Sequence, residues 1–180
     1  MLAAFWRLTP GRGTRPEILF NLPISGPPAH FFIYHIYPIV DLFGTAAWID
    51  GASVYEGLTD DGTYDRFVNT VTVGFKNGGI GQWTWAGGIE TKEPEQHQRY
   101  VLTGGTIFSE DSWCCSTRSG IEEISPISRP SLSLQELWLR EIQEADTDEA
   151  HADAAKALEA IRIGLSAEQS MQENRRIVLT

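Results

Sequence analysis

Phe67-Val68-Asn69-Thr70-Val71-Thr72-Val73-Gly74-Phe75-Lys76-Asn77-Gly78-Gly79-Ile80-Gly81-Gln82-Trp83-Thr84-Trp85-Ala86 decides the fold. Phe67, Asn69, Val71, Val73 and Phe75 alternate with Val68, Thr70, Thr72 and Gly74. That period of two places successive side chains on opposite faces of a strand. Lys76-Asn77-Gly78-Gly79 supplies residues that accept the positive φ of a tight hairpin turn. The chain returns over 80–86, with Trp83 and Trp85 set against Gln82 and Thr84. Further strands are expected over 52–58, 96–102, 106–109, 113–117 and 121–124. The joins between most of them are short, which makes the sheet largely antiparallel.

The N-terminal side reads differently. Pro10, Pro16, Pro23, Pro27 and Pro28, with Gly11, Gly13 and Gly26, punctuate the first thirty residues. They suggest an irregular lead-in over 1–14 and one extended piece over 17–22. In Phe31-Phe32-Ile33-Tyr34-His35-Ile36-Tyr37-Pro38-Ile39-Val40-Asp41-Leu42-Phe43-Gly44, Pro38 suits the first turn of a helix better than its interior. A strand or loop is therefore expected up to Tyr37, and a helix from Pro38 toward Ala47. The last third is helical. One amphipathic helix is expected over 132–143, with Leu134, Leu137, Trp138 and Ile142 at helical spacing. Asp146 and Glu149 resemble a capping box. It opens a second helix with Ala150, Ala154, Ala157, Leu158, Ile161 and Leu165 on one face. A short strand over 176–179 closes the chain. Strands followed by helices predict an α+β domain over 15–180: an open, largely antiparallel or mixed β-sheet with helices packed on one face.

The chain of 180 residues carries a net charge of −10 and contains six Trp, eight Phe and five Tyr. The aromatic residues can fill a core. The charge argues against nucleic acid and against an anionic membrane surface, both of which require Lys and Arg. No apolar run reaches the ~20 residues of a membrane span. Two cysteines, the adjacent Cys114 and Cys115, form no disulfide framework or zinc spacing. A reducing, cytoplasmic setting is the expectation.

No phosphate cradle is visible in the sequence. Gly11-Arg12-Gly13 lacks the third glycine of a dinucleotide turn, and Gly78-Gly79-Ile80-Gly81 lies in a hairpin. The four histidines, His30, His35, His97 and His151, have no metal-ligand spacing. No cofactor bound by this chain alone and no metal are expected. The densest polar-aromatic cluster is His30, Tyr34, His35, Tyr37 and Asp41. If residues 33–37 are extended, His35 and Tyr37 share a face and could exchange protons with a substrate hydroxyl or carbonyl, with Asp41 orienting a donor. The same residues would serve equally to pack a sheet–helix joint. Trp83, Trp85, Arg99 and Tyr100 form a second candidate surface. There, aromatic rings could stack on a sugar-like ring, meet a second subunit or fill the core.

The order of these segments resembles the C-terminal domain of the Gfo/Idh/MocA oxidoreductases, over about residues 15–180. The carriers are Tyr34-His35-Ile36-Tyr37-Pro38-Ile39-Val40-Asp41-Leu42, the hairpin from Val71 to Gly81, and Leu102-Thr103-Gly104-Gly105-Thr106-Ile107. The tail adds Asp153-Ala154, Ala157-Leu158, Ser166 or Ser170, and Arg175-Arg176-Ile177-Val178-Leu179. The resemblance implies an open mixed sheet that contacts substrate and, in many members, forms the dimer interface. It implies hydride transfer between NAD(P), held by an N-terminal Rossmann domain, and a sugar or cyclitol. In such members a Lys of an E-K-P motif works with a His, and often an acid, near the first helix of the C-terminal domain. Here Tyr37 stands at the usual His position and Val40 at the usual acid position, with His35 and Asp41 displaced nearby. The sequence contains neither a Rossmann half nor E-K-P.

Three functions are compatible with this reading. The first is a substrate-binding or oligomerising domain, or a pseudoenzyme subunit, without redox activity of its own. The second is a cofactor-independent isomerase, dehydratase or cyclase using His35 and Tyr37. The third is one part of a split sugar or cyclitol dehydrogenase. A small sugar-like or polyol ligand is expected. So is a homodimer or hetero-complex through the sheet, involving Trp83 and Trp85.

Overall fold

The structure, a computed structural model of the chain, describes residues 1–180 with the exception of 12, 14, 110, 126–134, 137, 138, 140, 141 and 144–146. Among the described residues, nine strands form one sheet. They are β1 (Leu2–Pro10), β2 (Ala46–Glu56), β3 (Arg66–Phe75), β4 (Ile80–Ile89), β5 (Glu95–Val101), β6 (Thr106–Ser109), β7 (Trp113–Thr117), β8 (Gly120–Glu123) and β9 (Ile177–Val178). Their spatial order is β8-β7-β6-β5-β1-β4-β3-β2-β9. Every neighbouring pair is antiparallel except β1 and β4, which run parallel. The β3–β4 hairpin has the expected alternation, with Val71 opposite Trp83 and Asn69 opposite Trp85. Four helices, α1 (Pro16–Leu19), α2 (Leu22–Ser25), α3 (Pro28–Phe31) and α4 (Ile33–Phe43), lie between β1 and β2, and the long α5 (Thr147–Glu173) precedes β9. This is the open, largely antiparallel α+β architecture expected from the sequence.

One face of the sheet is covered. Phe5, Phe67, Val71, Val73, Phe75, Trp83 and Trp85 are buried with Ile36, Ile39, Val40 and Phe43 of α4 and Ala160, Ile163 and Ala167 of α5. The opposite face exposes Trp6, Val54, Val68, Ile80 and Val101, interleaved with half-buried Thr70, Thr72 and Thr84. No described helix is long and apolar enough to cross a membrane.

The first difference from expectation is the lead-in. Residues 2–10 form a central strand rather than an irregular segment, hydrogen-bonded to β4 on one side and β5 on the other. Ala3 and Phe5 enter the core on the two-residue period. Pro10 and Gly11 mark where the strand ends. The piece expected to be extended over 17–22 instead begins with the one-turn α1, with Pro16 at its first helical positions.

The second difference is α4, which begins at Ile33 and carries Pro38 in its interior. An interior proline removes one helical hydrogen bond and costs about 3 kcal/mol. Ile36, Ile39, Val40 and Phe43 lie on one stripe spanning the proline, and all four are buried. At ~1.5–3 kcal/mol each, their burial outweighs that cost. The helix ends at Gly44, whose φ of 76° few other residues adopt. Consequently β2 starts at Ala46, six residues before the strand expected from the sequence.

The third difference is the face that α5 buries. Leu158, Ile161 and Leu165, expected to pack inward, are 66%, 47% and 56% exposed. Small residues face the domain instead, because the helix lies very close to β2 and α4. A Cβ added at Gly51 would meet the Ala167 carbonyl at 2.8 Å, and one at Gly164 would meet Ile33 at 2.9 Å. Ser170 fixes this approach: its Oγ accepts the Gly51 N–H at 2.9 Å and donates to the Arg175 carbonyl at 2.7 Å. Asp146 and most of the helix expected over 132–143 lie outside the described residues.

Candidate functional site

The helical state of residues 33–37 separates the residues that an extended chain would have brought together. His35 and Tyr37 are about 200° apart around a helix. His35 turns toward the sheet. Trp85 donates its indole N–H to His35 Nδ1 at 3.0 Å, and Trp83 donates its own to the His35 carbonyl at 3.0 Å. The imidazole packs against Phe5, Phe32 and Tyr34, with centroids 4.4, 5.4 and 4.2 Å away. Burial and the neighbouring Arg7 guanidinium lower its pKa from 6.5 to about 4. A lone pair on Nδ1 is required to accept from Trp85, so the neutral ring carries its proton on Nε2.

Tyr37 and Asp41 face α5 instead. The Tyr37 hydroxyl donates to Asp153 at 3.3 Å, and Lys156 pairs with Asp41 at 2.7 Å and with Asp153 at 3.2 Å. Burial, then Asp153, holds the Tyr37 phenol above its ordinary range. Hydrogen bonds to Asp41 and Asp153 raise the Lys156 ammonium. This is a surface network on the other side of the helix. Proton exchange with one substrate by His35 and Tyr37 together finds no geometric support here. His30 belongs to neither group, since its Nε2–H donates to the Gly164 carbonyl at 3.1 Å, tying α3 to α5.

The second candidate surface also divides. Trp83 and Trp85 are 0% exposed, so they neither stack on a ligand nor meet a subunit; they are core residues that hold His35. Their alternation is that of a strand face, and helices cover that face. Arg99 and Tyr100 point to opposite sides of β5. The Arg99 guanidinium lies 5.1 Å over the Phe108 ring on the uncovered face. Tyr100 lies on the helix side, bonded to Gln98 at 3.1 Å, and lines an apolar cavity of about 330 Å³ with Met1, Leu42, Phe43, Leu102 and Ile107.

Tyr34 alone among the expected site residues lines the cavity beside His35. That cavity, about 390 Å³, is bounded by Arg7 and Thr9 of β1, Gly13 and Arg15 of the following loop, Leu19 of α1, Phe31, Phe32 and Tyr34. Its volume is in the range of small-molecule sites. Arg7, Phe32 and Tyr34 are also the groups around the His35 ring. The sequence reading missed Arg7, Thr9, Gly13, Arg15, Leu19, Phe31 and Phe32. The usable signal was the alternation of Ala3, Phe5 and Arg7 before Pro10.

A dinucleotide does not fit the glycines next to this cavity. Gly11 follows a strand, but its N–H donates to the Ile89 carbonyl at 3.0 Å and its carbonyl accepts from Gly88 at 2.7 Å. A phosphate cradle needs such N–H groups free, ahead of a helix of several turns. The helix that follows here has a single turn that begins with Pro16. Among the described residues no group of three or more His, Cys, Asp or Glu is placed to hold a metal.

By sequence, no protein-family model and no curated protein matches the chain. Its structure is similar to those of several oxidoreductases. Biliverdin reductase from Synechocystis sp. PCC 6803, in complex with biliverdin and NADP+, superposes with a TM-score of 0.78 at 17% identity, covering 96% of this chain and 55% of that one. An oxidoreductase from Agrobacterium radiobacter, in complex with NAD+, L-tartaric acid and magnesium, gives 0.68 at 15% identity, covering 99% and 56%. Levoglucosan dehydrogenase with NADH and levoglucosan gives 0.67 at 14% identity, covering 99% and 58%. The likeness is one of fold: the chain has the open α+β sheet fold found in part of each of these oxidoreductase chains. More narrowly, it is the fold of the C-terminal part of Gfo/Idh/MocA-type oxidoreductases, as the resemblance in sequence implied. The chain spans about 55% of the length of these solved relatives.

Proposed function

We propose that this chain is the substrate-binding part of a nicotinamide-dependent oxidoreductase, without redox turnover of its own, and that a separate Rossmann unit supplies the dinucleotide. The observation that carries this reading is the cavity between β1, α1 and α4 with a neutral imidazole behind its wall. In this reading Trp85 fixes the His35 ring, and that ring in turn backs Phe32 and Tyr34, which line the cavity. Gly11, next to the cavity, has its N–H and carbonyl engaged with β4 rather than free for a phosphate. The ligands of the solved relatives are a tetrapyrrole, a hydroxy acid and an anhydrosugar. The fold alone therefore does not select a substrate.

The uncovered sheet face supports self-association in place of the buried Trp83 and Trp85. Trp6 stacks on His97 there at 4.9 Å, with Val54, Val68 and Ile80 on the neighbouring strands. Val54 and Val68 face each other across β2 and β3, and exposed apolar side chains grouped on one sheet face can mark interaction sites.

Calorimetric titration of the purified chain with NADH and NADPH tests the main reading. No heat of binding by the chain alone is the expected result. Tight binding would overturn it, because it would require a dinucleotide site within these residues.

A further inference from the structure

We infer that the cavity beside His35 takes an anion with an apolar, ring-bearing body, such as an aryl carboxylate, rather than a neutral polyol. This rests on the reading of that cavity as the substrate site and narrows what the site accepts.

Charge is the first argument. The chain has 24 acidic residues against 14 basic ones, yet the cavity wall contains Arg7 and Arg15 and no carboxylate. Elsewhere Arg66, Lys156, Arg162, Arg175 and Arg176 each meet an acidic side chain, while Lys76, Lys92, Arg99 and Arg118 meet none among the described residues. Neither Arg7 nor Arg15 has such a partner among the described residues. Arg7 is half-buried, and its guanidinium lies 5.8 Å over the Phe32 ring. A half-buried cation without a counter-charge is costly, and an entering anion removes that cost. A neutral polyol would displace water from both guanidiniums and return no charge.

Rigidity is the second. Arg7 lies on β1, hydrogen-bonded on both sides by β4 and β5. The backbone of Arg15 is pinned because its carbonyl accepts from Ile18 at 3.1 Å and Leu19 at 3.0 Å. Both stems start from fixed points, so two forked donors can converge on one carboxylate with little loss of backbone freedom. Apart from Thr9 and Gly13, the rest of the wall, Leu19, Phe31, Phe32 and Tyr34, is apolar or aromatic. Such a surface favours a ring over a chain of hydroxyls. The depressed pKa of His35, partly caused by Arg7, reports the same positive potential.

The test compares three probes on the 180-residue chain: naphthoate, naphthalenemethanol, which has the same ring without the charge, and sorbitol. Quenching of tryptophan fluorescence and calorimetry report binding. Naphthoate is expected to bind roughly tenfold tighter than the alcohol, and sorbitol not measurably. Arg15→Gln is expected to remove most of that preference and leave the alcohol unaffected, with Arg15→Lys in between. Arg15 is exposed, so its substitution leaves the fold intact, and a thermal melt of each variant verifies this. Arg7→Gln is the companion variant. Equal affinity for naphthoate and the alcohol, binding of sorbitol alone, or unchanged naphthoate binding in a folded Arg15→Gln would each overturn the inference. So would the absence of naphthoate binding by the folded native chain. The nicotinamide titration keeps the two readings apart. A chain that binds neither NADH nor naphthoate fails only here, whereas one that binds NADH fails the reading on which this rests.

Discussion

Lowering the pH from about 7 to about 4 should destabilise the native chain more than a His35→Gln variant, and the size of the difference follows from the packing of one ring. Burial and Arg7 depress the folded pKa of His35 from 6.5 to about 4. Between those values the unfolded chain holds a proton that the folded chain lacks. The contribution of this group is therefore present in full above about pH 6.5 and is lost as pH falls toward 4. The gap corresponds to about 3 kcal/mol, which water reaching the half-buried ring screens to about 2 kcal/mol. Glutamine has no proton to gain in this range, and the many carboxylates titrate alike in both proteins. Subtracting one urea unfolding curve from the other at each pH thus isolates His35. The native chain's advantage over His35→Gln should shrink by about 2 kcal/mol. In thermal melts this is about 4–8 °C for a chain of this size. Trp85→Phe should act in the same sense by releasing Nδ1 to bind a proton, raising the His35 pKa toward its ordinary value. A gap constant to within about 0.5 kcal/mol over the whole range would refute the reasoning. An NMR titration placing the native imidazole near 6.5 would refute it equally.

Three further outcomes are expected. Ser170→Ala should lower stability by about 2–3 kcal/mol, read from the urea midpoint, because it leaves the Gly51 N–H and the Arg175 carbonyl without their partner under α5. A loss below about 0.5 kcal/mol would show that water replaces the hydroxyl there. Tyr37→Phe removes an exposed bond to Asp153 and should leave stability within about 0.5 kcal/mol and naphthoate affinity unchanged. A fall in affinity comparable to that of Arg15→Gln would return Tyr37 to the site. Trp6→Glu and Val68→Asp, both on the uncovered sheet face, should convert an associated chain to monomer in light scattering, with melting temperature nearly unchanged. A native chain that is monomeric at high concentration would contradict association through that face.

The limits of the sequence reading trace to two kinds of information. Local periodicity identified β3, β6 and β7 almost to the residue and the start of β4, because each half-buried strand writes its two faces into adjacent positions. It could not find β1. That strand ends at Pro10, just before Gly11, and pairs with a parallel partner beginning at Ile80. Nor could it orient α5, where the side of closest approach selects the small residues Gly164 and Ala167 over Leu158 and Leu165. The site failed for the same non-local reason. An arginine on a strand reads alike whether it faces water or a cavity, so Arg7 became informative only once β1 lay between β4 and β5.

His35 was visible as a residue but not as an environment, because its partner Trp85 is 50 residues away. The decisive local error was the first turn of α4. Had residues 33–37 been a strand, His35 and Tyr37 would have shared one face. As a helix, the same five residues send His35 to the indoles of the sheet and Tyr37 to the carboxylate of α5. That leaves Tyr34, near enough to His35 for ring contact at 4.2 Å, and Phe32 as the aromatic residues that join the half-buried imidazole to the basic cavity. Beside that cavity the described residues therefore place a half-buried imidazole held by Trp85 and two arginines that meet no acidic side chain among the described residues. On the proposed reading, such a site binds and orients an anion and leaves the transfer of electrons to a group held elsewhere.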